Sequence, residues 1–205
     1  MKKLRWSLVM SYLFILPFTK AATLEQVQQQ LTSHPLIRAH FEQKRTIKGM
    51  PQTLNSSGEM IISRTDGLLW QQKVPFAMRL VLKKESLLQQ TENQAPQVIT
   101  AQSNPQMFQF NHLLTALLTA DKNTLNTNFK MTFTSLGNEI WQINLIPITT
   151  PLDKLFSTIT INGGQFIEKV TLNDKQGDTT LITFSEHRIS PPQLTAKEHA
   201  DFDTQ

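Results

Sequence analysis

The chain has 205 residues, 20 of them basic and 16 acidic, with no cysteine. Lys2, Lys3, Arg5 and Lys20 fall in the first 21 positions, which hold no acid, so the rest of the chain carries equal numbers of either sign. That neutrality argues against a general nucleic-acid or anionic-membrane binder, and the missing cysteine excludes a disulfide framework, a lipid-anchored N-terminus and thiolate chemistry.

The first residues read as a cleaved secretory leader. A basic start is followed by an apolar stretch from Trp6 to Phe18 and by Thr19-Lys20-Ala21-Ala22, a small-residue cleavage site. Thirteen residues fall short of the roughly 20 that a membrane-spanning helix needs. The expected organisation is a signal peptide over 1–21, one domain over 22–190 and a polar C-terminal tail over 191–205.

Thr23 is placed to cap a short helix through Leu31, with Gln26 in the capping-box position and Leu24, Val27 and Leu31 on one face. Pro35 ends that region, and a strand is expected over 41–47, broken by Gly49-Met50-Pro51. Residues 58–64 and 68–73 read as a hairpin around Asp66-Gly67. Strands over 77–83, 86–91 and 97–100 continue the meander. Asn104 as a cap and Pro105 at the first helical position then open an apolar helix over 105–118. Phe129, Met131 and Phe133 alternate with polar residues, as do Trp141, Ile143 and Leu145. A short helix over 151–156 precedes strands around Ile159-Ile161 and over 166–172, joined at Gly163-Gly164. Gly177-Asp178 turns into a last strand over 179–186. The tail beginning at Pro191 reads as extended or frayed, with one short helical turn. The fold class is therefore mainly β: a single curved antiparallel sheet of roughly ten strands, forming an incomplete barrel closed by a few helices. Such a shape leaves room for an apolar cavity.

Chemistry is scarce. His34, His40, His112, His187 and His199 lack metal-ligand spacing. No nucleophile elbow, phosphate-binding loop or dinucleotide fingerprint follows a strand, Gly163-Gly164 reads as a turn, and the carboxylates stand singly. No catalytic residue, metal or cofactor is assigned. One charge is conspicuous. By the two-residue period, Met60, Ile62 and Arg64 share a strand face, which sets Arg64 at the rim of an apolar lining beside Leu68 and Trp70.

The order FEQKRTIKG, SSGEMIISRTDGLLWQQKVPF, EIWQINLIP, TPLDKLF, TITINGG and KQGDTTLITFS resembles the LolA family of periplasmic lipoprotein carriers over about residues 24–186. The resemblance implies a half-barrel that holds the acyl chains of lipoproteins, or related lipids, while they cross the periplasm. An inner-membrane exporter of ABC or other type supplies the cargo, and an outer-membrane acceptor protein takes it. It also implies that Arg64 latches a helical lid by polar contacts. The cavity is assigned to Met60, Ile62, Leu68, Trp70, Leu80, Leu82, Met107, Phe110, Leu114, Met131, Trp141 and Ile143. The protein is expected to be a monomeric, non-enzymatic carrier. A carrier dedicated to one lipid or glycolipid export pathway, a lipid-sensing regulatory domain and an enzyme adapting the same cleft are the alternatives. The departures from the family pattern are the tail SPPQLTAKEHADF and the strongly apolar helix 105–118.

Overall fold

The computed structural model describes residues 22–84, 86–92, 94–100, 102–103, 115–116 and 121–203. The expected leader over 1–21 lies outside the described residues. So does the expected helix over 105–118, with Met107, Phe110 and Leu114, except for Thr115 and Ala116.

Helix α1 (Leu24–Ser33) opens with the expected capping box: the Gln26 amide donates to Thr23 Oγ1 (3.2 Å) and the Thr23 amide to Gln26 Oε1 (3.0 Å). Among the described residues eleven strands follow: β1 (Leu36–Thr46), β2 (Thr53–Ser63), β3 (Gly67–Val74), β4 (Met78–Leu82), β5 (Ser86–Thr91), β6 (Gln97–Thr100), β7 (Phe129–Gly137), β8 (Ile140–Pro147), β9 (Phe156–Gly163), β10 (Ile167–Asp174) and β11 (Thr179–Arg188). Helix α2 (Lys122–Asn128) precedes β7, α3 (Leu152–Leu155) precedes β9, and α4 (Ala196–Phe202) follows β11.

All eleven strands form one antiparallel sheet in the order β6-β5-β4-β3-β2-β1-β11-β10-β9-β8-β7. It consists of two meanders joined where β1 pairs with β11, and its end strands β6 and β7 do not pair, so the sheet stays open. A bulge at Ser57/Gly58 disturbs the β2–β3 ladder. A Cβ on Gly58 would lie 1.9 Å from the Gln71 carbonyl oxygen, so only glycine lets the strands approach this closely there.

Strand alternation sends one set of side chains to an inner face. Ala39 and Phe41 of β1, Met60 of β2, Leu68 of β3, Leu82 of β4, Ile143 of β8, Ile161 of β9 and Phe184 of β11 share one buried cluster. Leu24, Val27 and Leu31 of α1, Leu125 of α2 and Leu152 of α3 close that cluster from above. Each of these side chains larger than alanine, fully buried, contributes roughly 1.5–3 kcal/mol.

The outer face differs between the two halves. Over β8–β10 it is polar, with Asn144, Thr160 and Thr171 in register and Thr160 Oγ1 donating to Asn144 Oδ1 (3.2 Å). Over β1–β5 it is apolar: Leu36, Ile61, Leu69, Val81 and Leu88 form a second buried cluster with Phe202, and Leu194 packs against it. Here the structure departs from the extended or frayed tail expected from the sequence. Thr195 caps α4 through a capping box with Glu198, and Phe202 is buried against the back of the sheet. The Arg38 guanidinium points outward from β1 and grips the same segment. It donates to the Pro191 and Gln193 carbonyls (2.8 and 3.0 Å) and to both Glu198 carboxylate oxygens. The polar composition of the tail concealed a segment with two apolar anchors and one buried ion pair.

Candidate functional site

The turn between β2 and β3 shapes the site. Ser63 Oγ accepts from the Asp66 amide (3.1 Å) and bonds Asp66 Oδ2 (2.6 Å), which also accepts from Thr65 Oγ1 (2.6 Å). These two hydroxyls hold the Asp66 carboxyl below the usual carboxylate range. Gly67 takes φ +103°, and a Cβ there would meet the Leu82 carbonyl oxygen at 2.0 Å. The Arg64 amide donates to the Pro35 carbonyl (3.0 Å), tying the turn to the start of β1.

This turn borders an open cavity of about 720 Å³. Its apolar lining is Leu31 of α1, Ile37 of β1, Ile62 of β2 and Leu82 of β4; its polar rim holds Thr32, His34, Arg64, Thr65, Asp66, Lys83, Lys84, Ser86 and Thr115. Leu31, Ile37 and Ile62 also line a narrow crevice with Met60, Phe166, Ile167, Phe184 and His187, so the apolar surface continues inward. In the crevice His187 stacks on Phe166 (ring centroids 4.7 Å apart), and its Nε2 lies 2.9 Å from the Ile167 carbonyl oxygen. Burial pushes the His187 imidazole below its ordinary value, against that hydrogen bond.

Every described residue that the sequence assigned to the cavity lies in the inner-face cluster. Met60, Leu68, Leu82, Trp141 and Ile143 are buried in it, and Ile62, Trp70, Leu80 and Met131 pack half-buried against it. They are not equivalent. Ile62 and Leu82 border the open cavity and Met60 the crevice. Trp70 stacks on Phe41 with centroids 3.7 Å apart. Trp141 is fully buried and donates from Nε1 to the Gly164 carbonyl (2.8 Å), so in this conformation it is packed core. Arg64 lies just past the end of β2 in the turn, exposed, at the mouth of the cavity. Its guanidinium makes no hydrogen bond or ion pair among the described residues. Leu31, Ile37, Phe166 and Phe184 were not assigned from sequence to the lining. The α1 stripe carried the signal for Leu31, and the inward period of β1 and β11 carried it for Ile37 and Phe184.

The described residues contain no group of three side chains able to hold a metal ion, and no helix among them is long and apolar enough to cross a membrane. The arrangement can take up an apolar chain and meet polar groups at its mouth.

The family described as outer membrane lipoprotein carrier protein LolA matches residues 35–197. No curated protein matches the chain. Among solved structures, a LolA superfamily protein from Nitrosomonas europaea is similar at 8% identity and a TM-score of 0.47, covering 85% of this chain and 94% of its own. A DUF1329 family protein from Desulfovibrio piger is similar at 12% identity and a TM-score of 0.49, covering 88% and 96%. The assignment therefore rests on the family match, which spans most of the chain and runs on into the docked tail. The chain belongs to the LolA family of outer membrane lipoprotein carrier proteins.

Proposed function

We propose that this protein is a periplasmic carrier without catalytic activity. It binds the acyl chains of a lipoprotein or a related lipid, taking them from an inner-membrane exporter and passing them to an outer-membrane acceptor. The observation that carries this reading is the open cavity of about 720 Å³, whose apolar lining runs on into the inner face of the sheet. That volume falls in the range of about 300–1,000 Å³ typical of small-molecule sites.

The energetics suit a carrier. Ten methylenes taken out of water are worth about 8 kcal/mol at roughly 0.8 each, which corresponds to a micromolar dissociation constant. A chain held that tightly stays out of water during transit but can still be handed on. Opening the site has to break polar contacts at its mouth, which lowers net affinity further. Arg64 is suited to make such contacts, with five donors in a fixed fork. It borders the same cavity as Thr115, which belongs to the expected helix over 105–118.

The test is to express the full chain in a bacterium, isolate it from the periplasm, and analyse extracted lipids by mass spectrometry. In parallel, uptake of a fluorescent triacylated peptide is measured. Co-purified lipid and saturable uptake are expected. A protein that is lipid-free and takes up no acylated ligand refutes the proposal.

A further inference from the structure

The apolar cavity has a cationic mouth. Arg64 on the β2–β3 turn and Lys83 and Lys84 after β4 all border it, against one carboxylate, Asp66, among the described residues of its lining; Glu85, next to Lys84 in sequence, lies outside the described residues. Asp66 is engaged by the Ser63 and Thr65 hydroxyls of its own turn. Lys83 lies 3.7 Å from Asp203, a largely exposed carboxylate beyond α4. Arg64 and Lys84 are in no ion pair among the described residues. By sequence, residues 101–120 hold no Asp, Glu, Lys or Arg and one histidine, His112. Beneath the charges, Leu82 immediately precedes Lys83 and Ile62 lies two residues before Arg64, so cation and apolar wall are adjacent in the chain.

We infer that the cavity selects an anionic phospholipid, seating its acyl chain on Leu31, Ile37, Ile62 and Leu82 and its phosphate between Arg64, Lys83 and Lys84. This rests on the carrier reading and narrows it. Acyl chains are chemically alike, so the apolar wall cannot distinguish one lipid from another, whereas a rim of fixed cations can. Charge-assisted hydrogen bonds to phosphate are stronger than neutral ones, and a guanidinium can grip two phosphate oxygens at once. Because the rim is exposed, the discrimination is moderate and salt-dependent.

The experiment compares three single-chain lipids with the same acyl chain: a neutral monoacylglycerol, zwitterionic lysophosphatidylcholine and anionic lysophosphatidylglycerol. Binding to the full chain is measured by displacement of a fluorescent fatty acyl probe below the lipids' aggregation limits. The anionic lipid is expected to bind about tenfold tighter than the other two, with the margin shrinking as salt rises toward 1 M. In the Lys83→Gln, Lys84→Gln double variant, the preference for the anionic lipid over the other two is expected to collapse. Equal binding of all three lipids overturns the inference and leaves the carrier reading standing. Binding of none overturns the carrier reading itself. A preference that survives in the double variant also refutes the assignment to these lysines.

Discussion

Replacing Glu198 with glutamine tests the attachment of the C-terminal segment. The Arg38 and Glu198 side chains are only 7% and 16% exposed, and the guanidinium holds the carboxyl at about 2, down from 4.5. At 1.36 kcal/mol per pH unit that displacement is worth about 3 kcal/mol, or about 2–3 allowing for the exposed edge of the carboxylate. Glutamine at this position can still accept from the Thr195 amide, so the helix cap survives and the loss reports on the ion pair. Since the folded value lies below the unfolded one, the stabilisation is complete above about pH 5 and disappears as pH falls toward 2. Urea unfolding of both proteins at pH 7, 5, 4 and 3 should therefore show a deficit of about 2–3 kcal/mol at neutrality that narrows progressively with acid. Limited proteolysis should show faster cleavage within 190–203 in the variant. A deficit below about 0.5 kcal/mol at pH 7, or one independent of pH, refutes the argument.

Two further substitutions address the sheet and the rim. Gly58→Ala should cost at least about 3 kcal/mol in urea unfolding, because its Cβ would sit 1.9 Å from the Gln71 carbonyl oxygen and the β2–β3 ladder must shift; an unchanged midpoint would show that the bulge relaxes freely. Arg64→Leu should leave folding stability within about 0.5 kcal/mol, as for an exposed position. It should slow the transfer of bound acylated peptide to an acceptor by about tenfold, measured as the decay of probe fluorescence; unaltered transfer removes the latch role.

Much of the architecture was legible because inner and outer positions alternate. FKMTF and IWQINL disclose β7 and β8 with their faces assigned, and Asp66-Gly67 marks a real hairpin with its glycine at positive φ. The start of β1 was missed because LIRAH violates alternation: Leu36 is apolar on the outer side, and Arg38 is a buried charge whose partners lie 153 to 160 residues away. Helix α2 was missed because KNTLNTN holds one apolar residue, Leu125, and so has no period to detect. The most instructive signal was present but unused. MII, LLW, LVL and LL are unbroken apolar runs in β2 to β5, and a strand that is apolar on both sides requires cover on both. α1 covers only the inner face, so a second cover had to come from elsewhere in the chain. For the site, the two-residue period put Met60, Ile62, Leu68 and Leu82 on the inner face, and of the described residues assigned to the cavity Ile62 and Leu82 border it. The cationic mouth did not follow from that period, because Arg64 and Lys83-Lys84 come together only when β3 and β4 pair and bring two turns to the same end of the sheet.

The position of α4 in the chain also sets an order of events during synthesis. Leu36, Ile61, Leu69, Val81 and Leu88 are all made more than 100 residues before Phe202, which shields them from behind. Until then the first meander presents an apolar back surface, and its β1 edge waits for β11, whose pairing partners lie about as far away in sequence. An emerging chain of this protein is therefore sticky on one side until residue 202 has been made, the condition under which holding factors engage and truncated products aggregate. Leu194 and Phe202 thus decide whether the back of the first meander stays shielded from water.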